Sequence, residues 1–123
     1  MLIRDGTDYP HERVADDSLL AEVLHPHREP LPLSCSIAHA IVPPGETTRP
    51  HRLVASTEVY MVVRGTGRMH VGDETAPVRA GTAILIPPGA VQWIENTGKG
   101  PLVFFAIVDP AWRADDEQVD GEL

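Results

Sequence analysis

Four side chains of this 123-residue chain stand where they could do chemistry: His39, His51, Glu58 and Gln92. An imidazole, a carboxylate and an amide can ligate a cation, exchange a proton with a bound molecule or hydrogen-bond to one another. Their spacing is set by glycines and prolines. One block runs Gly45, His51, Glu58, Gly65, and a second runs Gly81, Pro87, Gly89, Gln92, Asn96. A β-strand points alternate side chains to opposite faces. His51 therefore shares a face with Leu53, Glu58 with Tyr60 and Val62, and Gln92 with Ile94.

The two blocks resemble the paired signature motifs of the cupin superfamily, with every glycine, the proline and the asparagine in place. Leu53 stands where the first motif has its second histidine, and Gln92 where the second motif has its histidine. The resemblance implies an all-β fold, a single-domain cupin β-barrel or jelly roll of antiparallel strands with little helix, of the conserved-barrel type and related to the RmlC-like cupins. It also implies that His51, Glu58 and Gln92 converge inside the barrel, where family members hold a divalent transition metal. Leu53, Tyr60, Val62 and Ile94 are then expected to line the pocket.

A set of one imidazole, one carboxylate and one amide oxygen is richer in oxygen than the family's histidine set. It favours zinc, manganese or nickel over iron. The competing reading has no metal: His51 and Glu58 form a hydrogen-bonded pair that Gln92 completes. His39 lies in the apolar run Ser36 to Val42, where both alternate sets of residues are apolar, so periodicity leaves its direction open. Facing inward it is an additional ligand or a partner that orients the ligands; facing outward it is a buried histidine satisfied by its neighbours. His70 alternates as a solvent-facing residue, His25 and His27 sit in a proline-flanked loop, and Trp93 points away from Gln92 toward an intersheet space or a subunit interface.

The elements that must position these groups are short. Twelve prolines and ten glycines punctuate the chain and disfavour long helices. Leu19 to Leu24 reads as an N-terminal strand and Leu33 to Val42 as the next. Glu58 to Arg64 and Arg68 to Val71 form a hairpin about Gly65, Thr66 and Gly67, and Ala76 to Arg79, Ala83 to Ile86 and Val91 to Glu95 follow. Leu102 to Val108 is continuously apolar, as in a strand covered on both faces. The whole chain, residues 1–123, is expected to be one domain: an N-terminal strand and loop over 1–32, a core over about 33–110, and an acidic tail over 111–123 that frays or forms a short helix from Ala111 to Val119.

Composition narrows the function classes. A net charge of −8 opposes a phosphate backbone, so no nucleic acid partner is expected. The absence of a long apolar run predicts no membrane partner, and one cysteine, Cys35, suits a cytoplasmic protein. A small-molecule ligand is expected, together with a homodimer built through Leu19 to Leu24 or the face carrying Trp93. Two functions compete: a small metalloenzyme of isomerase, lyase or oxygenase type, and a metal-free module binding a sugar or a carboxylic acid.

Overall fold

The computed structural model describes residues Met1–Leu123 as eleven short strands and three single 3-10 turns, with no α-helix. The strands are β1 (Glu12–Arg13), β2 (Leu19–Leu24), β3 (Ser36–Val42), β4 (His51–Leu53), β5 (Thr57–Arg64), β6 (Thr66–Val71), β7 (Glu74–Arg79), β8 (Ala83–Ile86), β9 (Gln92–Asn96), β10 (Leu102–Asp109) and β11 (Glu117–Val119). They form two antiparallel sheets, a six-stranded one in the order β1-β2-β3-β10-β5-β8 and a five-stranded one in the order β11-β4-β9-β6-β7. This is the antiparallel jelly roll that the strand spacing and the motif resemblance predict.

The sheets face each other because each strand is apolar on alternate positions. Tyr60 and Val62 of β5, Ala40 and Val42 of β3, and Phe104 and Ala106 of β10 meet Met69 of β6, Val78 of β7 and Ile94 of β9 in one core. The Leu102 side chain is fully buried and every inward residue of β10 is covered, while on the outer face Phe105 and Ile107 are half-buried, so the second face is covered less than its continuous apolar run predicts.

The turns carry the motif residues. Gly65 has φ +90° between β5 and β6, and a Cβ there would lie 2.6 Å from the Pro101 carbonyl oxygen. Only glycine satisfies both the left-handed backbone and that close approach. Asn96 is a clamp: its Nδ2 donates to the carbonyls of Val42 (2.9 Å) and Gly100 (2.8 Å), while its Oδ1 accepts from Gly98 N–H (2.9 Å). It ties β9 to β3 and shapes the loop into β10.

The C-terminal segment departs from the expected fraying tail or short helix. Ala114–Asp116 is a single 3-10 turn, and β11 pairs with β4, placing Val119 opposite His51. The cause is Asp116, 5% exposed, whose carboxylate accepts N–H bonds from Ala55 (2.8 Å) and Ser56 (3.1 Å). Acidic residues in this tail are thus anchors as well as surface. The surfaces expected to pair subunits stay partly exposed, Leu19, Leu20, Leu24 and Trp93 being half-buried. β2 is flanked by β1 and β3, and Trp93 stacks on His70 with ring centroids 4.4 Å apart. No helix is long and apolar enough to cross a membrane.

Candidate functional site

Three strands from both sheets bring His51, Glu58 and Gln92 together. His51 opens β4 and pairs in register with Gln92, which opens β9. Glu58 reaches them from β5 of the other sheet, and the Gln92 Nε2 donates to Glu58 Oε1 at 2.7 Å. Gln92 and Glu58 thus bridge the two sheets, with His51 beside Gln92 on the neighbouring strand and hydrogen-bonded to neither.

The geometry of each group follows from its neighbours. His51 Nδ1 is 2.8 Å from the Arg49 carbonyl oxygen, which can only accept, so Nδ1 carries the hydrogen and Nε2 is the free nitrogen. That nitrogen faces Asp16 Oδ2 at 3.5 Å, an ion pair when the imidazole is doubly protonated. Asp16 is itself fixed by Ser18, whose N–H and hydroxyl both donate to its Oδ1 (2.9 and 2.7 Å). Burial pushes the Glu58 carboxyl up to about 7, against the opposing effects of His51 and the Gln92 hydrogen bond. Burial and the nearby Glu58 hold the Tyr60 phenol well above its ordinary range.

His51, Asp16, Glu58 and Tyr60 face a cavity of about 300 Å³, whereas Gln92 is fully buried and off its wall. Its floor is apolar: Ala38 and Ala40 of β3, and Phe104, Ala106 and Val108 of β10, with small alanines leaving room that larger side chains would fill. Tyr60 lies on the wall at a 4.3 Å centroid distance from Phe104. The N-terminal segment adds Val14, Ala15, Asp16, Ser18, Leu20 and Glu22, and Arg28, Trp112 and Glu117 complete the rim.

Of the expected pocket residues, Tyr60 lines this cavity and the others do not. Val62 and Ile94 belong to the packed core, and Leu53 is buried away from the cavity wall. They share a face with the site residues, but alternation does not encode which inward residues reach a cavity and which are packed over. His39 is likewise corrected. Ala38 and Ala40 take the inward positions of β3, and His39 points to the outer face, beneath the N-terminal segment. There its Nδ1 lies 2.8 Å from His11 Nε2 and its ring packs edge-on against Phe105. His11 Nδ1 faces the Tyr9 carbonyl, so His11 Nε2 accepts and His39 donates. It is no ligand of the interior site.

Several polar groups of the cavity escaped the sequence reading. Glu22 interrupts an otherwise apolar strand, a signal that could have found it. Asp16 and Glu117 carried none, because loop closure and tail docking bring them in. Trp112 is set by Ser36 Oγ, which accepts its N–H at 2.9 Å, and by buried His25, whose Nε2 lies 2.9 Å from its carbonyl. Its indole Nε1 donates to Glu117 Oε2 at 2.9 Å. His25 is thus a positioning residue rather than a loop ornament.

As arranged, the three candidate ligands do not form a chelating set. Gln92 turns its NH₂ toward Glu58, and its oxygen, the atom a metal would need, is buried without a partner. No three of the chain's His, Cys, Asp and Glu side chains are grouped closely enough to hold a metal ion.

A family model described as a cupin domain matches residues 38–108. An uncharacterized protein of Methanocaldococcus jannaschii is 35% identical over 104 residues, covering 85% of this chain and 82% of its own length. An oxalate-binding protein of Thermotoga maritima is 31% identical over 67 residues, 54% of this chain and 55% of that protein. Among solved structures, a double-stranded β-helix protein of Klebsiella pneumoniae superposes with a TM-score of 0.76 at 19% identity, covering 95% of both chains. A predicted oxalate decarboxylase of Thermotoga maritima superposes with a TM-score of 0.75 at 24% identity, covering 89% of this chain and 98% of that one.

Proposed function

Because this chain belongs to the cupin domain family and its barrel encloses a cavity walled by His51, Glu58 and Tyr60, we propose that it binds a small organic molecule there without a resident metal. The observation that carries this reading is the Gln92 to Glu58 hydrogen bond, which occupies both residues with each other. A divalent ion on His51, Glu58 and Gln92 requires the amide to turn over and that bond to break. The oxalate-binding relative supports a small organic ligand as a class. The cavity size, at the lower end of the roughly 300 to 1,000 Å³ of small-molecule sites, supports it as well.

Glu58 gives the site a chemical capacity beyond holding a ligand. A carboxyl that titrates near neutrality, inside a mostly apolar enclosure, is suited to exchange a proton with whatever contacts it. His51, with Nδ1 committed to a backbone carbonyl, presents Nε2 toward Asp16 as a polar contact on the wall.

Thermal-shift screening of metabolites with a chelator present tests the binding reading. Hits are expected to stabilise the wild type and to lose their effect in Ala40→Leu, which fills the cavity. Stabilisation by divalent metals alone, or close to one metal ion per chain after purification without chelator, would replace this reading with the metal-centred one.

A further inference from the structure

We propose that the ligand is a small organic cation, an amine whose ammonium sits among Glu22, Glu58 and Glu117 while its hydrocarbon body lies on the apolar floor. The assignment rests on the small-molecule reading above and names the ligand's chemistry.

Four carboxylates wall the cavity, Asp16, Glu22, Glu58 and Glu117, against two basic side chains, Arg28 and His51. Asp16 is taken by Ser18 and His51. The chain's other ion pairs join Arg4 to Glu29, Arg13 to Glu46, Arg49 to Asp120, His70 to Glu95, and Arg113 to Asp115 and Asp116. Glu22, Glu58 and Glu117 are in none of them; Arg28 and His25 act on Glu22, and His51 on Glu58 and Glu117, only from beyond ion-pair contact. Ionising a carboxyl shielded from water is costly without a cation in contact, and a cationic ligand lowers that cost.

The unmet hydrogen bonds point the same way. Two buried side-chain polar atoms lack any partner, Glu22 Oε2 on the cavity wall and Gln92 Oε1 off it, and the first is an acceptor when Glu22 is ionised. Gln92 is fully buried and bonded to Glu58. Glu58, 8% exposed, has its single hydrogen-bond partner on Oε1. A site of unfilled acceptors calls for a ligand of donors, and an ammonium offers three N–H groups and no acceptor. Tyr60, Phe104 and Trp112 add aromatic surface that favours a cation. A dicarboxylate such as oxalate meets repulsion from the same wall.

The test is calorimetric titration at pH 8, with chelator, of cyclohexylamine, cyclohexanol and cyclohexanecarboxylate, which share one ring and differ in charge. The amine is expected to bind about tenfold tighter than the alcohol, with no detectable binding of the carboxylate. Glu22→Gln and Glu117→Gln, each nearly isosteric, are expected to weaken the amine about tenfold and leave the alcohol unchanged. Equal binding of amine and alcohol, preference for the carboxylate, no binding of any of the three, or indifference to both substitutions overturns the cation assignment. A neutral or anionic hit from the wider screen that Ala40→Leu abolishes would leave the binding reading standing, whereas no hit at all sinks both.

Discussion

Glu58 is the residue whose environment does most to set the behaviour of this protein. Its carboxyl titrates at about 7 when folded against 4.5 as the ordinary value, so the folded state prefers the protonated form. The stabilisation this brings is complete below about pH 4.5 and is lost as pH rises through about 7. It amounts to on the order of 3 kcal/mol for a fully buried group. Glu22 and Glu117, both raised chiefly by burial, act in the same direction. His39 is lowered, chiefly by burial, so its contribution is lost instead as pH falls below its ordinary range. Glu58→Gln is expected to raise stability at pH 8 relative to wild type and to flatten the decline between pH 5 and 8; urea denaturation across that range checks it. An unchanged slope would mean that Glu58 titrates normally. The alternation of β5 made Glu58 and Tyr60 legible as inward residues. His39 was not legible, because Ile37 and Ile41 on its own face are as apolar as Ala38 and Ala40 on the other.

At the scale of elements, the turns and the C-terminal strand bear the strain of bringing the site together. Gly65→Ala adds a methyl to a left-handed residue against the Pro101 carbonyl, and a loss of about 2 kcal/mol or more in chemical denaturation is expected. Asp116→Ala strips the Ala55 and Ser56 N–H groups of their acceptor, with an expected loss of roughly 2 to 4 kcal/mol. Because β11 then loosens from β4, proteolysis should cut near residue 117 before the core is attacked; simultaneous cleavage throughout would contradict this. Hairpins and glycine turns were readable because their signals are local in sequence, even though Gly65 and Asn96 go on to meet the distant Pro101 and Val42 carbonyls. The docking of β11 was not, since a three-residue strand among acidic residues has no periodicity to detect. Its register is fixed by one buried carboxylate reaching back to Ala55 and Ser56.

For the whole molecule, the barrel works by division of labour between its two ends in sequence and its middle. The middle supplies two facing sheets, a packed core of Val62, Ile86, Ile94 and Phe104, the Gln92 to Glu58 bridge, and His51. Residues before β3 and after β10 supply Asp16, Glu22, Arg28, Trp112 and Glu117, most of the charge on the cavity wall. The match to the cupin family covers 38–108, and all five of those residues fall outside it. A ligand inferred from similarity within that span therefore describes the vessel and not its lip. Proteins that share this barrel but differ in their flanking segments should differ in what they bind, and exchanging those segments between two such proteins is the natural way to exchange their ligands.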